Sequence, residues 1–370
     1  MKKVCIVVSQ VDRVIAFEWT IEHLAKEFEF TFVLIGKKET YLSRYLYENH
    51  VKFHVIEYSG KKQAVKALYR MFFILLRGKF DVIHTHLVEA TLYGLLPAWL
   101  LRIKKRIYTR HHSDYNYKYS PKGIKYDLLS NRLATDIIAI TDQVKDILLN
   151  QEKVRKEKIE LIHHGIDIAF FENIDVERVE RLNEKYNSNS RKPVIGVIAR
   201  QTQWKGVQYI IPAFGAILEK YPNALLVLAN ANGDYVSEIN DLLKKHLPSG
   251  SYRSISYEYD SAALYKMFDI FVHVPIDEVV EAFGQVYIEA LASKVPSVFT
   301  ISGIASDFIK DGENALVVPY HNSESIKNAV IRLLADEEVR NKIISNGSDI
   351  VKEKFSVESF LSKLSSLYSR

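Results

Sequence analysis

The sequence predicts an α/β protein of two doubly wound domains, each a buried parallel sheet with helices on both faces. Three observations carry this reading. Short apolar, β-branched runs alternate with helix-period segments along the whole chain. Those runs are apolar nearly throughout, as strands covered on both faces must be. The pattern also begins afresh near residue 193. A length of 370 residues suits two domains at roughly 150 residues each.

In the first half, Val4–Val8, Phe30–Ile35, Val51–Ile56, Asp81–His84, Arg106–Thr109, Ile137–Ile140 and Ile159–Ile162 read as strands. Helices are expected at 17–28, 62–77, 88–103 and 142–150, where apolar residues recur at helical spacing. A polar, charged stretch at 171–192 reads as a linker. The second half opens with the strand run 193–199. Ala224–Ala229, Ser254–Tyr257, Ile270–Val274, Ser297–Thr300 and Ala315–Val318 follow as strands, with helices at 206–219, 235–246, 260–267, 285–293 and 323–335. The segment Ser356 to Tyr368 places Phe360, Leu361, Leu364 and Leu367 on one helical stripe. The expected division is therefore 1–170, a linker at 171–192, 193–350, and a final helix within 351–370. In open parallel sheets, ligands bind at the carboxyl ends of the strands. Two such sheets in series make a cleft between them the default site.

Composition narrows the function classes. Hydrophobic residues at 48% and charged residues at 26% are ordinary for a folded soluble chain and exclude disordered or collagen-like designs. The single cysteine, Cys5, allows no internal disulfide and no cysteine-based zinc site. No run free of Asp, Glu, Lys and Arg exceeds the thirteen residues of Gly206 to Leu218, whereas a membrane span needs about 20 apolar residues. The N-terminus has too short an apolar core for a signal peptide, so a cytoplasmic location is expected. Charge is unevenly placed: residues 61–132 hold fifteen Lys or Arg against Asp81, Glu89, Asp114 and Asp127. That asymmetry points to an anionic surface or substrate for the first half.

Two constellations carry chemistry. No Gly-x-Gly-x-x-Gly follows either opening strand, which counts against a dinucleotide oxidoreductase. Instead the second opening strand leads into Arg200-Gln-Thr-Gln-Trp-Lys-Gly206. A guanidinium, an ammonium and a helix start form a credible clamp for a diphosphate. Farther on stands Glu281-Ala-Phe-Gly-Gln-Val-Tyr-Ile-Glu289. With residues from 284 helical, the two carboxylates sit on different levels, spaced to hold opposite ends of something long rather than to act as a dyad. Carboxylates accept hydrogen bonds from hydroxyl pairs, so two sets of sugar hydroxyls suit them, and Gly284 leaves backbone N–H groups open to a phosphate.

Arg200, Lys205 and Gly206 followed about eighty residues later by Glu281 and Glu289 resemble the retaining nucleotide-sugar glycosyltransferases of family four, with the GT-B fold. Phe80-Asp-Val-Ile-His-Thr-His86, Ile138-Ala-Ile-Thr141, Ile162-His-His-Gly-Ile-Asp167 and Gly312-Glu-Asn-Ala-Leu-Val-Val-Pro319 extend the resemblance over nearly the whole chain. It implies two Rossmann-like domains facing a central cleft, with the C-terminal helix crossing back toward the N-terminal, acceptor-binding domain; the second domain would bind the nucleotide sugar. It also implies that Arg200 and Lys205 hold the donor diphosphate and that Glu281 binds hydroxyls of the transferred sugar. Gly206, Phe283, Gly284, Gln285 and Val286 would line the donor, and Glu289 would hold the ribose. A histidine of Arg110-His-His112 would sit under the donor sugar, with His111 favoured because it directly follows the strand.

Where the family usually carries Gly-Gly-x-Glu, this chain has Ile15-Ala16-Phe17-Glu18, which removes a backbone surface a ligand could touch. His84, His86, His112 and Glu18 are the acceptor-side candidates. Asp-x-Asp is absent, so no metal and no cofactor beyond the nucleotide sugar are expected, with UDP favoured. Lys61, Lys62, Lys66, Arg70 and Arg77 share a helix with Leu68, Phe72, Phe73, Leu75 and Leu76, and Lys104-Lys105-Arg106 follows a helix containing Trp99. This suggests a protein lying peripherally on an anionic membrane beside a glycan or lipid-linked acceptor; a nucleic-acid partner is not expected. The expected activity is metal-independent retaining transfer of a hexose-type sugar in cell-surface polysaccharide or lipopolysaccharide synthesis. The alternatives are a GT-B nucleotide-sugar epimerase and a non-catalytic nucleotide-sugar-binding subunit.

Overall fold

Strand β1 (Lys2–Ser9) is buried from Val4 onward on both faces, which is why its sequence runs apolar without alternation. The computed structural model describes the backbone of Met1–Arg370 and every side chain except that of Tyr115. The chain divides into two units, residues 1–165 together with 357–370, and residues 166–356.

In the first unit, β1 is joined by β2 (Phe28–Gly36), β3 (Lys52–Glu57), β4 (Val82–His86), β5 (Lys105–Arg110), β6 (Asp136–Ala139) and β7 (Ile159–Leu161). They form one seven-stranded sheet in the order β3-β2-β1-β4-β5-β6-β7, and every pairing is parallel. The order reverses between β1 and β4, where Val4 pairs with Val82 and Val8 with His86. Cys5 lies fully buried in this core as a free thiol, and burial pushes its pKa up. The helix Val357–Ser369 belongs to this unit and buries Leu361, Leu364, Leu367 and Tyr368. The Tyr368 ring packs edge-on against Phe28 at 5.5 Å and Phe30 at 6.5 Å.

The second unit has six parallel strands: β8 (Val194–Ile198), β9 (Leu225–Ala229), β10 (Tyr252–Ile255), β11 (Ile270–His273), β12 (Ser297–Phe299) and β13 (Leu316–Val317). Their order is β10-β9-β8-β11-β12-β13, with the reversal between β8 and β11. Both halves are therefore doubly wound parallel sheets, as the apolar strand runs imply.

Several elements differ from the sequence reading. Residues 171–192 are not an extended linker. They lie within the second unit and contain the helix Val176–Tyr186, whose Asp175 side chain caps its N-terminus by accepting from Glu177 N. Arg178 forks onto Asp260 at 2.6 and 2.9 Å, tying this largely polar helix to the unit alongside the buried Leu182. The final helix, Val357–Ser369, lies within the expected 351–370, whereas the 19-residue helix Glu337–Phe355 before it is not in the expected set. The first helix, Ile15–Leu24, stops short of residue 28 because β2 starts there. Helices Tyr41–Glu48 and Ile124–Leu133 are additional to the expected set.

Candidate functional site

The two motif loops of the second unit leave neighbouring strands. Arg200 follows β8 and the Glu281 loop follows β11, and these strands pair directly through Ile195 with Ile270 and Gly196 with Phe271. This is the point where strand order reverses, the place where open parallel sheets leave a crevice at their carboxyl ends. The fold thus converts a separation of 76 residues between Lys205 and Glu281 into direct contact.

Lys205 ends a short 3₁₀ turn, Gln203–Lys205, and Gly206 then starts the helix Val207–Lys220 at φ 72°. A Cβ at position 206 would lie 1.8 Å from the Val274 carbonyl oxygen. Glycine therefore lets the helix start close against the end of β11. Gly284 plays a similar part at φ 83°, heading the helix Gln285–Ala292. Neither helix has a side-chain cap, so both offer open backbone N–H donors of the kind that bind anions.

Lys205 Nζ donates to Glu281 Oε1 at 2.5 Å, and His273 Nε2 donates to the same oxygen at 3.1 Å. Burial pushes the Glu281 carboxyl up, but the Lys205 ammonium and the His273 hydrogen bond outweigh it and hold the pKa down to about 2. The carboxylate is thus charged and acceptor-only, which fixes the His273 proton on Nε2. His273 Nδ1 is then a buried acceptor with no partner among the described residues. The loop is braced from below: Glu281 N donates to Ser302 Oγ at 3.2 Å, and Tyr287 OH donates to the Thr300 carbonyl at 2.9 Å.

Glu289 lies on the helix Gln285–Ala292, where it accepts a hydrogen bond from Tyr265 OH at 2.9 Å. Burial raises its pKa to about 7, with the Tyr265 bond opposing. Phe283 is buried, its ring edge-on to Phe355 at 6.4 Å. Gln285 and Val286 occupy the first turn of the helix. Arg200 is exposed, and no side-chain partner for it occurs among the described residues. The structure thus joins Lys205, Glu281, Gly206 and Gly284 around one strand pair. His273, Tyr265 and Ser302 are supporting residues that sequence reasoning missed. His273 lies two residues from Phe271, and its ring parallels that of Phe271 at 6.4 Å; period-2 spacing put it on the apolar face, and only the neighbouring carboxylate reveals its task.

In the first unit the histidine candidates separate into different roles. His84 is only 2% exposed and uses both ring nitrogens internally, Nδ1 with Tyr368 OH at 2.7 Å and Nε2 with Thr109 Oγ1 at 2.8 Å. Burial lowers its pKa to about 3. It is a core histidine, not an open wall of an acceptor site. His86, at the end of β4, shares one hydrogen bond with His111 at 3.1 Å, Nδ1 to Nε2. His111 in turn stacks on His164 with ring centroids 5.5 Å apart and planes at 11°. Burial, then the neighbouring rings, hold His86 and His111 well below their ordinary pKa values. His112 turns elsewhere, with Nε2 3.2 Å from both oxygens of Asp127. Asp127 also pairs with Arg110 at 3.0 Å, and Arg110 reaches Glu152 at 2.7 Å. His112 therefore belongs to a buried charge network under the turn, and His111 to the row of rings at the strand ends. Glu18 is taken up by Arg13, at 2.9 and 3.2 Å, so it is neutralised rather than presented free. Among the described residues, no group of three or more His, Cys, Asp or Glu is placed to hold a metal ion.

Comparison with known proteins gives a consistent picture. Residues 20–170 match the family model described as Glycosyltransferase Family 4, and residues 178–349 match Glycosyl transferases group 1. The capsular polysaccharide biosynthesis glycosyltransferase CapM of Staphylococcus aureus is 28% identical over 317 residues, covering 82% of this chain and 80% of the relative. Among solved structures, Anabaena HepE in complex with UDP and glucose aligns with a TM-score of 0.85 at 18% identity, covering 100% of both chains. Staphylococcus aureus TarM, solved with UDP among its ligands, aligns with a TM-score of 0.73 at 14% identity, again over 100% of both chains.

Proposed function

The chain belongs to the family-four glycosyltransferases of the GT-B fold, and on that premise we propose that it moves a hexose-type sugar from a UDP-linked donor to a glycan or lipid-linked glycan acceptor. The observation that carries the reading is the cluster at the β8–β11 reversal: Lys205 against Glu281, with two uncapped helix starts at Gly206 and Gly284. The naming of CapM as a capsular polysaccharide enzyme and the UDP and glucose held by HepE support the acceptor and donor classes. Together they favour a role in cell-surface polysaccharide synthesis.

The chemistry follows from where charge develops. As the bond between the sugar anomeric carbon and the phosphate oxygen breaks, the ring becomes cationic and the diphosphate gains negative charge. Arg200, Lys205 and the helix-start N–H groups stabilise that developing anion without reorganising. An acceptor hydroxyl attacks the anomeric carbon from the side the phosphate leaves, and its proton passes to the departing phosphate oxygen, so configuration is retained and the protein need supply no nucleophile. Glu281 would orient the sugar hydroxyls, Glu289 the ribose hydroxyls, and His111 the acceptor-side face of the sugar. Neutralisation by side chains and backbone makes the reaction metal-independent in this reading.

A thermal-shift panel of UDP-, GDP- and ADP-sugars, each with and without EDTA, tests it. Stabilisation by UDP-sugars that survives EDTA, followed by an axial or equatorial product linkage matching the donor by NMR, is the expected result. A response confined to another base, or one abolished by EDTA, overturns the corresponding part.

A further inference from the structure

The strands of the first sheet have a second edge, at their amino ends, that none of the chemistry above uses. There a cavity of about 650 Å³ opens between the strand starts and the helix Ala64–Gly78, within the range of ligand-sized sites. Lys3, Lys52, Arg70 and Arg77 line it, against one carboxylate, Glu29. Glu29 is already engaged by Lys52 at 2.8 Å. Arg77 lies over the Phe73 ring at 5.9 Å, and neither Arg70 nor Arg77 has a carboxylate partner among the described residues. An unopposed pair of guanidiniums in a cavity is an anion site, since Arg forks onto phosphate oxygens.

The same edge holds a second basic cavity of about 600 Å³, which shares Phe80 with the first and is lined by Lys2, Lys79, Arg102, Lys104, Lys105 and Arg370 against one carboxylate, Asp81. Around the two cavities, large apolar side chains stand in solvent: Tyr69 is 65% exposed, Leu76 48%, Trp99 51% and Leu100 57%. A merely solvated face would balance its signs and keep its aromatics inside, whereas here, among the described residues, Glu29 and Asp81 are the only carboxylates lining the two cavities. Cations next to exposed aromatic and aliphatic groups instead match the layer between lipid headgroups and acyl chains.

We propose that this amino edge of the first sheet docks on an anionic phospholipid surface, with one headgroup phosphate seated between Arg70 and Arg77 and with Tyr69, Leu76, Trp99 and Leu100 entering the interfacial layer. The proposal rests on the reading that the acceptor is lipid-linked, and it locates the membrane contact. That contact is distinct from the candidate acceptor site, because His86 and His111 follow the opposite ends of the strands. Five-residue β4 separates the edges by roughly 17 Å at about 3.3 Å per residue.

Co-sedimentation with vesicles of phosphatidylglycerol or of phosphatidylcholine alone tests this on the full chain. Each cation near an anionic surface contributes about 5-fold in partitioning. Arg70→Gln with Arg77→Gln should therefore weaken phosphatidylglycerol binding about 25-fold. Lys342→Gln with Lys354→Gln, an equal charge change on the second unit's helix Glu337–Phe355, should change it less than twofold. Transfer to a soluble acceptor should be unaltered in both. Vesicle binding by the Arg variant equal to that of the wild type overturns the headgroup site while leaving the lipid-linked acceptor standing. Wild-type protein that ignores vesicles but binds glycerol 1-phosphate through Arg70 assigns the cavity to a soluble phosphate and overturns the docking surface. Binding to neither overturns both.

Discussion

Lys205 Nζ sits 2.5 Å from Glu281 Oε1, across a pair of loops that leave the adjacent strands β8 and β11 and are also tied by Ile276 N donating to the Trp204 carbonyl at 3.1 Å. The ammonium proposed to hold a diphosphate is therefore already paired with the carboxylate proposed to hold the sugar. The ammonium holds the carboxylate charged in a site where an isolated ion would be costly. Under the proposed donor binding, the phosphate would lie beside Lys205 and the sugar hydroxyls beside Glu281, replacing one ion pair by two charge-assisted contacts.

Lys205→Ala and Arg200→Ala should each reduce kcat/KM by about 10- to 200-fold, the equivalent of one hydrogen bond to a charged group at roughly 1.5–3 kcal/mol. Lys205→Ala should also weaken binding of the donor product nucleotide, measured by calorimetry. Turnover close to wild type in both variants would remove the clamp from the mechanism.

His273→Phe keeps the ring stacking but deletes the Nε2 donor to Glu281. Donor KM should rise about 10-fold or more, while His273→Gln, which restores an amide donor, recovers most of the loss. Equal behaviour of the two variants would make His273 a packing residue only.

Glu289 gives a pH signature. Its pKa is raised by burial from 4.5 in an unfolded chain to about 7 in the fold. The folded protein therefore holds a proton between those values that the unfolded chain has released, and stability falls as pH rises through about 7. Glu289→Gln should raise Tm relative to wild type at pH 8 and leave it unchanged at pH 4. Ribose hydroxyls donating to the carboxylate favour its charged form, so UDP binding near pH 7 should release a proton. Calorimetry in buffers of different ionisation enthalpy will detect that proton, and Glu289→Gln should abolish it.

His111 and His112 should separate cleanly. Arg110 is 1% exposed between Asp127 and Glu152, so Arg110→Met strands two buried carboxylates and should cost about 3–5 kcal/mol in urea unfolding. His112→Ala removes one contact of that network and should cost about 1–3 kcal/mol. His111→Ala, by contrast, should lower turnover by at least about 10-fold with a smaller stability loss. The reverse pattern would exchange their assignments.

The parallel sheets were legible because strands buried on both faces leave an unbroken apolar run, and the restart near 193 was plain in the same terms. Glu281 and Lys205 were legible as motif members, yet their contact depends on strand order, which no local spacing encodes. Helices with few apolar residues escaped: Tyr41–Glu48 buries Leu42, Ser43 and Leu46 behind its Thr40–Ser43 capping box, and Val176–Tyr186 buries only Leu182 and is tied by Arg178 to Asp260, 82 residues away. His84 reads as an acceptor-side candidate from sequence alone because nothing local shows what its ring nitrogens meet. One of its two hydrogen-bond partners, Tyr368, lies 284 residues away.

That last bond has a consequence for the order of assembly. The first unit is discontinuous, completed only by residues 357–370, while the second is one uninterrupted stretch. On the ribosome, the later-made half can therefore finish folding while the earlier half still waits with Phe28 and Phe30 uncovered. The usual vectorial order, in which the leading portion matures first, is inverted, and a nascent chain stalled before Val357 would present that unfinished apolar face to chaperones.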